Sequence, residues 1–413
     1  MRLKDVSILN PAYQGDALDT DVSFVPMESL RYGKIDFQEI PFSEGKGKYT
    51  FFANGDLLIA KVTPCFENGN IAIANDMKEG IGFGSSEIFV LRMGKSVLNT
   101  YMFYFVQTSK FQDAACATMC GVGGLKRISP LFMRTYELSV PSVSVQQRIV
   151  DYLDEKTSAI DTRIELLEKK KDAYTRLKKA TINQAVTRGL NENVKMKDSG
   201  VEWIGMIPEH WLVTRLKDYA KITLGKMIMS NKPESSKEEY TLEKYLKSRN
   251  IGWLEVYSNE NDVDEMWFNV YEKQIYKLHD GDIVMNEGGD IGKVSLWHDT
   301  GYDCYIQNSV NKITPNKHLN SSFLTYFLYA TSMTGYFWSI VSQISIAHLT
   351  KEKLSYTPIV CPPFAEQQAI AAYLDEKCAK IDAAIANIDK QTDALKRLKR
   401  SLINEVITGQ RAI

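Results

Sequence analysis

The sequence predicts a mixed α/β (α+β) fold with an internal two-fold repeat, in which two variable domains are each followed by one long helix. Three observations carry this expectation. Residues 146–187 and 367–408 align without a gap at a constant offset of 221, with 20 of 42 positions identical. Within each copy the apolar residues recur every seven positions, the spacing of helices that pack along one seam. Outside the copies, short β-rich runs bounded by Gly, Asn and Pro alternate with helical stretches.

In chain order, the first domain spans residues 1–145. Asp56-Leu-Leu-Ile-Ala60 and Glu87-Ile-Phe-Val-Leu91 have strand length, and Leu98 to Phe111 reads as helical. The first spacer helix follows over 146–190, with Leu153, Ile160, Leu167 and Tyr174 in heptad register and Ile164 widening the stripe. Residues 191–211 read as a linker. The second domain covers 212–363, with a strand at Asp282-Ile-Val-Met285 and a helix from Ser321 to Tyr336. The second spacer helix covers 364–413, with Leu374, Ile381, Ile388, Leu395 and Leu402 in register and Ile385 beside them. With one stripe per half, each helix has the other as its obvious partner. The repeat continues faintly outward: Arg2-Leu-Lys-Asp5 recurs as Arg215-Leu-Lys-Asp218, Gly55-Asp56 as Gly281-Asp282, and Leu98-Asn99 as Leu319-Asn320.

Composition narrows the function classes. The chain has 413 residues, 50 Lys+Arg against 51 Asp+Glu, and a net charge of -1, which excludes a polybasic coat. Residues 161–189 hold 8 basic against 4 acidic side chains, so the local excess lies on the helices; a solvated face is its plain reading, and partner docking or a backbone contact the sharper one. Six scattered cysteines argue for reduced thiols rather than a disulfide framework. The uncharged stretch Phe323 to Val341 carries several Ser and Thr and a Gly, which predicts a buried helix and not a membrane span. The expectation is a soluble protein without a signal peptide.

A search for catalysis finds little. Asn10-Pro-Ala-Tyr13 and Cys361-Pro-Pro-Phe364 approach the Asn/Asp-Pro-Pro-aromatic motif of amino-methyltransferases, but one lacks the second Pro and the other the leading Asn or Asp. No glycine-rich cofactor turn accompanies either. Gly288-Gly-Asp-Ile-Gly292-Lys293-Val294 lacks the first Gly and the final hydroxyl of a phosphate loop, so a tight turn between strands fits better. Gly121-Val-Gly-Gly124 is a lone glycine cluster. The five histidines never stand at ligand spacing, and Cys116 and Cys120 have no second pair. No catalytic, cofactor-binding or metal-binding residue is expected.

The two Gln-Gln-x-Ile-x-x-Tyr-Leu-Asp-Glu-Lys helix openings, at Gln146 and Gln367, carry a resemblance together with three other segments. These are the linker motif Lys197-Asp-Ser-Gly-Val-Glu-Trp-Ile-Gly-Met-Ile-Pro-Glu-His-Trp211, Ala60-Lys-Val-Thr-Pro-Cys-Phe-Glu-Asn-Gly69 with Gly84-Ser-Ser-Glu87, and Asp282-Ile-Val-Met-Asn-Glu-Gly-Gly-Asp-Ile-Gly292. Over essentially its whole length the chain resembles the specificity (S) subunit of a type I restriction-modification system. That resemblance implies two target-recognition domains separated by two long antiparallel coiled-coil helices. Each domain would read one half of a bipartite, asymmetric site on double-stranded DNA. The helices would set the spacing and dock two methyltransferase (M) subunits, with restriction (R) subunits as further partners. S-adenosylmethionine, ATP and Mg would then belong to the partner subunits, and the chain itself would be a non-catalytic, cytoplasmic, prokaryotic DNA-binding protein. A diverged stand-alone DNA methyltransferase or nuclease is the alternative. Two departures are visible: the first domain starts at Arg2 without the Ile-Pro-x-x-Trp lead-in of Ile207 to Trp211, which predicts a shorter N-terminal strand, and Asn70 stands where related sequences often carry Lys.

Base readout requires polar and charged side chains in loops. The first domain offers Lys61, Thr63, Asn68, Asn70, Ser85, Ser86, Lys126 and Arg127. The second offers Lys226, Asn286, Glu287, Lys293, Gln307, Asn308, Ser345 and His348. For each, a turn-forming or solvated polar residue is the plain alternative. Gln146, Gln147, Gln367 and Gln368 are candidates for subunit or domain–helix contacts, with capping of the helix start as the alternative.

Overall fold

A computed structural model describes residues 1–121, 125–232, 239–259, 261–341 and 348–413. The chain forms two compact units, Met1–Glu168 with Ile388–Ile413, and Lys169–Asn387. The helices Val143–Arg188 and Phe364–Ile407 therefore each contribute residues to both units.

Each unit is built on the same antiparallel four-stranded sheet. In the first unit its order is Ser7–Leu9, Ile88–Met93, Leu57–Ala60, Ile71–Ile73; in the second it is Ala220–Leu224, Val310–Pro315, Ile283–Asn286, Val294–Leu296. Leu57, Leu58, Ile59 and Ala60 are all buried because this strand is covered on both faces. Alternate side chains enter different cores, as the two-residue period of a strand dictates: Leu57 and Ile59 pack on the helical side, Leu58 and Ala60 on the other. Ile283 and Met285 part from Val284 in the same way. A second sheet completes each unit. It runs Gln38–Pro41, Asp21–Val25, Ile81–Gly84, Thr50–Ala53 in the first and Asp264–Asn269, Tyr240–Leu246, Cys304–Ile306 in the second. Each contains one parallel pair, Asp21–Val25 with Ile81–Gly84 and Tyr240–Leu246 with Cys304–Ile306.

The sequence repeats recur as repeated hydrogen bonds. The Asp5 carboxylate accepts the Arg2 N–H at 2.7 Å, and Asp218 accepts the Arg215 N–H at 3.2 Å. Gly55 and Gly281 adopt φ of +88° and +86°, open to glycine without strain. The following Asp56 and Asp282, both buried, accept the N–H of Ala53 and of His279 at 2.8 Å. The Leu98 repeat is shifted by one residue from the sequence expectation: Leu98 and Asn320 both precede the first helical residue, so Leu98 is equivalent to Asn320. The shorter first N-terminal strand is also found. The single bridge Arg2 to Glu137 stands where the second unit pairs Leu212–Arg215 with Pro358–Cys361.

Other expectations change in detail. Residues 191–211 are not an extended tether: Met196–Asp198 pairs with Met206–Pro208, and Ile204, Ile207 and Trp211 are buried in the second unit's core. The helix expected over Leu98 to Phe111 is two helices, Asn99–Phe105 and Ser109–Ala117. The uncharged stretch is a buried helix only as far as Met333: Ser321–Met333 stops there, Gly335 turns the chain at φ +82°, and a short helix Tyr336–Ile340 with Trp338 exposed follows; among the described residues no helix is long and apolar enough to cross a membrane.

The long helices run antiparallel. In the first unit Asp161 pairs with Lys399 at 2.6 Å while Arg148 lies 3.5 Å from the Ile413 carbonyl, so numbering rises on one helix as it falls on the other. In the second unit Lys178 pairs with Asp382 at 2.7 Å. The two ion pairs are copies of each other at the repeat offset. Of the stripe, Leu153, Leu167, Leu374, Ile381, Ile388 and Leu402 are buried, while Ile160, Ile164, Tyr174, Ile385 and Leu395 are partly buried. Its ends serve the domains as well: Leu153 and Leu402 join the first unit's core, and Leu374 joins the second's with Ile182 and Val186.

Gln146 and Gln367 lock helix to domain, the domain–helix alternative of their reading rather than the subunit contact. Gln146 is buried; its Oε1 accepts the Leu98 N–H at 2.8 Å, and its Nε2 donates to the Ser96 and Pro141 carbonyls at 2.9 Å. Gln367, equally buried, accepts the Asn320 N–H at 2.7 Å and donates to the His318 and Pro362 carbonyls at 3.1 and 2.8 Å. Tyr104 donates to Asp154 at 2.5 Å, and Tyr326 to Asp375 at 2.8 Å, about two helical turns further on. Burial pushes both phenols up, so they remain O–H donors. Gln146→Leu is expected to orphan the Leu98 N–H and two carbonyls, lowering stability by about 2 kcal/mol. Calorimetry should then show one thermal transition moved down by several degrees and the second moved only by Gln367→Leu. An unshifted first transition would remove the locking role. Gln147 and Gln368 are exposed, with Gln147 donating to Asp151 at 2.7 Å.

Candidate nucleic-acid interface

Six of the eight first-unit candidates converge where the central strand Leu57–Ala60 ends. The Lys61 N–H donates to the Glu87 carbonyl at 3.0 Å, and the Lys61 carbonyl accepts the Ile128 N–H at 2.9 Å. This brings three chain segments together. Arg127 reaches back over the junction, its Nε and Nη2 each 2.9 Å from a Glu87 carboxylate oxygen. That bidentate contact holds the Glu87 carboxyl below its usual range. Thr63 and Lys126 exchange bonds, the Thr63 N–H donating to the Lys126 carbonyl at 2.9 Å and Thr63 Oγ1 accepting the Lys126 N–H at 3.0 Å. The Ser85 hydroxyl accepts the Glu87 N–H at 3.3 Å, Ser86 is exposed, and the Lys61 ammonium sits 5.4 Å above the Phe89 ring.

Two first-unit candidates lie elsewhere. Asn68 lines a pocket with Tyr32, Gln107 and Arg400 of the second long helix. Asn70 is buried, its N–H and carbonyl engaged with Cys65 and Ala60, so its side chain does not present at the surface.

The second unit repeats the junction with other side chains. The Glu287 N–H donates to the Ser309 carbonyl at 2.9 Å, and the Glu287 carbonyl accepts the Leu349 N–H at 2.7 Å. His348 Nδ1 lies 2.7 Å from Glu287 Oε2. Gln307 Oε1 accepts the Ser309 N–H at 3.1 Å, and Gln307 Nε2 donates to Asn308. Glu287 and Gln307 are themselves largely buried, and the side chains they bond, His348 and Asn308, are the more exposed ones. Lys293 pairs with Asp290 across the turn between the strands Ile283–Asn286 and Val294–Leu296. Ser345 lies outside the described residues.

Two second-unit candidates are corrected. Lys226 is only 6% exposed; its ammonium donates to the Trp267 carbonyl at 2.7 Å and to Glu272 at 2.5 Å, between the rings of Tyr240 and Phe268. A buried ammonium needs such partners, and with the Met229 sulfur at 3.8 Å as the third its donors are directed inward. Asn286 is fully buried, its amide donating to the Ser248 carbonyl at 3.1 Å.

Matching the backbone bonds makes Lys61 equivalent to Glu287, Ser85 to Gln307, Ser86 to Asn308, Glu87 to Ser309 and Arg127 to His348. Every one of these pairs differs. By contrast these framework pairs are identical: Arg2/Arg215, Asp5/Asp218, Gly55/Gly281, Asp56/Asp282, Tyr104/Tyr326, Pro141/Pro362, Gln146/Gln367 and Asp154/Asp375, while Ser96/His318 and Leu98/Asn320, which lend the lock only backbone groups, differ. Sequence reasoning missed Glu87 and Ser309. Glu87 had a signal, since it closes the quoted Gly84-Ser-Ser-Glu87, but as the start of a strand it drew no attention; Ser309 had none. Among the described residues no cluster of His, Cys, Asp and Glu is arranged to hold a metal ion. The junctions offer guanidinium, ammonium, imidazole, amide and hydroxyl groups, the inventory of hydrogen-bonding recognition. Asn10 of the methyltransferase-like fragment accepts the Val90 N–H at 3.0 Å and serves the sheet edge.

Comparison with known proteins follows the same division. A family model described as the type I restriction modification DNA specificity domain matches residues 2–173 and 208–396. The EcoAI specificity subunit of Escherichia coli is 33% identical over 152 residues, 36% of this chain but only 26% of that protein. The MjaVIII specificity subunit of Methanocaldococcus jannaschii is 24% identical over 344 residues, 81% of this chain and 75% of that one. The matched stretch thus spans about a quarter of the EcoAI relative. Among solved structures, a chain reported for the complex assembly and conformational transition of the type I R-M system superposes with a TM-score of 0.71. It is 16% identical, with 98% of this chain and 96% of that chain covered.

Proposed function

Because the chain belongs to the family of type I restriction-modification DNA specificity domains, matched over most of its length, we propose that it is the non-catalytic subunit that gives such a complex its target sequence. Each unit reads one half of a bipartite, asymmetric site on double-stranded DNA. The helix pair sets the distance between the half-sites and docks two M subunits, which carry S-adenosylmethionine. R subunits add cleavage driven by ATP and Mg where the system encodes them. The complex works in the prokaryotic cytoplasm, where the DNA is.

One observation supports this reading above the rest. The chain holds two copies of one backbone framework, with identical residues where side chains lock it together and different ones at the exposed strand-end junction. A protein that reads two unlike half-sites needs that combination, since phosphate and framework contacts position a reader and base contacts specify it.

The test is methylation mapping. Expressed with M subunits of its host, the chain is expected to direct methylation to one bipartite sequence. Purified alone it is expected to transfer no methyl group and to bind S-adenosylmethionine negligibly. Methyl transfer by the isolated chain would overturn the assignment.

A further inference from the structure

We propose that Arg127 and His348 are equivalent base-contacting residues, that Arg127 reads a guanine, and that Glu87 and Glu287 are the positioning residues that aim them. The proposal rests on the DNA-reading function above and adds the residues and the base.

The equivalence comes from the backbone. Ile128 and Leu349 donate to Lys61 and Glu287, and Lys61 and Glu287 donate to Glu87 and Ser309. These bonds place Arg127 and His348 at the same point of the same junction. Each side chain is 48% exposed, and each is held from behind by a less exposed carboxylate, Glu87 at 28% and Glu287 at 10%. The carboxylate comes from a different framework position in the two units, position 87 in one and position 287 in the other. The arrangement is kept although its residues are exchanged.

Whatever these contacts add to stability, each also fixes the direction of the outer side chain. Glu87 occupies Arg127 Nε and one hydrogen of Nη2. The guanidinium is planar and carries five donors, so its Nη1 hydrogens and the second Nη2 hydrogen point away from Glu87; among the described residues Nη1 has no partner. What remains outward is a rigid pair of donors, the match for guanine O6 and N7 in the major groove. His348 bonds Glu287 through Nδ1, which leaves Nε2 as a single outward atom. A single atom discriminates less than a fork, so the second unit's equivalent base is read less strictly.

The test uses the complete methyltransferase complex and genome-wide mapping of methylated sites. R127A is expected to lower the preference for guanine at one position of one half-site by about 10- to 100-fold, with the other half-site unchanged. R127K keeps the charge without the fork and should relax the same position. E87Q should relax it to a smaller degree without moving the thermal transition. H348A should relax one position in the other half-site by a smaller factor. Uniformly weaker methylation with sequence preference intact in R127A would make Arg127 a phosphate contact and overturn the proposal; guanine preference retained in full in R127K, whose ammonium can also meet guanine, would overturn the aimed fork as its source. If R127A abolishes methylation outright, R127K decides between these outcomes. Failure of the underlying reading is separately visible: the unaltered complex would then methylate without a bipartite preference.

Discussion

Exchange of residues 1–140 for the corresponding segment of a relative with another target is expected to replace one half of the methylated sequence and leave the other half as it was. Both sheets of the first unit and its strand-end junction lie within this segment. The break before Pro141 keeps the lock, because the Pro141 carbonyl and Gln146 both stay with the helix. The donor has to supply the other half of the interface. That means a backbone N–H and carbonyl for Gln146, a phenol where Tyr104 meets Asp154 and Thr157, and an apolar face for Ile149, Val150, Leu153, Leu402, Ile403 and Val406. A donor lacking the phenol should fold poorly rather than read wrongly. Each mismatched base pair costs about 1–3 kcal/mol, roughly additively, so a half-site replaced at three positions is disfavoured by a factor of about a hundred or more. Sequencing of methylated sites resolves so large a change. If both half-sites changed, the units would not read independently.

That segment also shows what the chain discloses before folding. Arg2-Leu-Lys-Asp5, Gly55-Asp56 and the Gln-Gln helix openings were legible because each is a local device whose partners lie within a few residues or whose repetition is visible without a partner. The heptads announced the helix pair for the same reason. Burial of polar groups was not legible. Lys61 and Lys226 look alike as loop lysines, yet one ends a strand at the surface and the other is enclosed by Glu272, Trp267 and two aromatic rings. Asn70 and Asn286 carry the side chain that base readout favours, and tertiary contacts bury both. Gln146 could be read as a domain–helix contact, a subunit contact or a cap, and the sequence did not choose; its Pro141 partner is local, but those at Ser96 and Leu98 meet it only once the domain has folded against the helix. The junction itself was half visible: residue type picked out Lys61, Arg127, Glu287 and His348, but nothing in the sequence linked them as equivalents, because the linking bonds are backbone bonds.

Lengthening both long helices by one heptad at matching positions is expected to lengthen the unread spacer while preserving both half-sites. The register is fixed by two ion pairs. Asp161 meets Lys399 and Lys178 meets Asp382, so seventeen residues forward on one helix correspond to seventeen back on the other. In both pairs the residue numbers sum to 560, so insertions after Lys169 and after Lys390 fall at matching counts from each pair. Seven residues inserted after Lys169 and seven after Lys390 leave each ion pair, and each domain lock, within its own unit. An insert of seven keeps the apolar stripe in phase, which six or eight would not. At 1.5 Å per residue it adds about 10 Å of helix, and at 3.4 Å per base pair the shift is at most roughly three base pairs. The shift falls below that limit to the extent that the helices are inclined to the DNA. The added helix also turns one reader about the duplex relative to the other, so reduced activity is expected alongside the new spacing. Insertion into one helix alone misaligns the ion pairs by two turns and is expected to abolish methylation, which separates a change of length from a mere disturbance. An active double insertion that methylates with the original spacer would show that the helices do not set the distance.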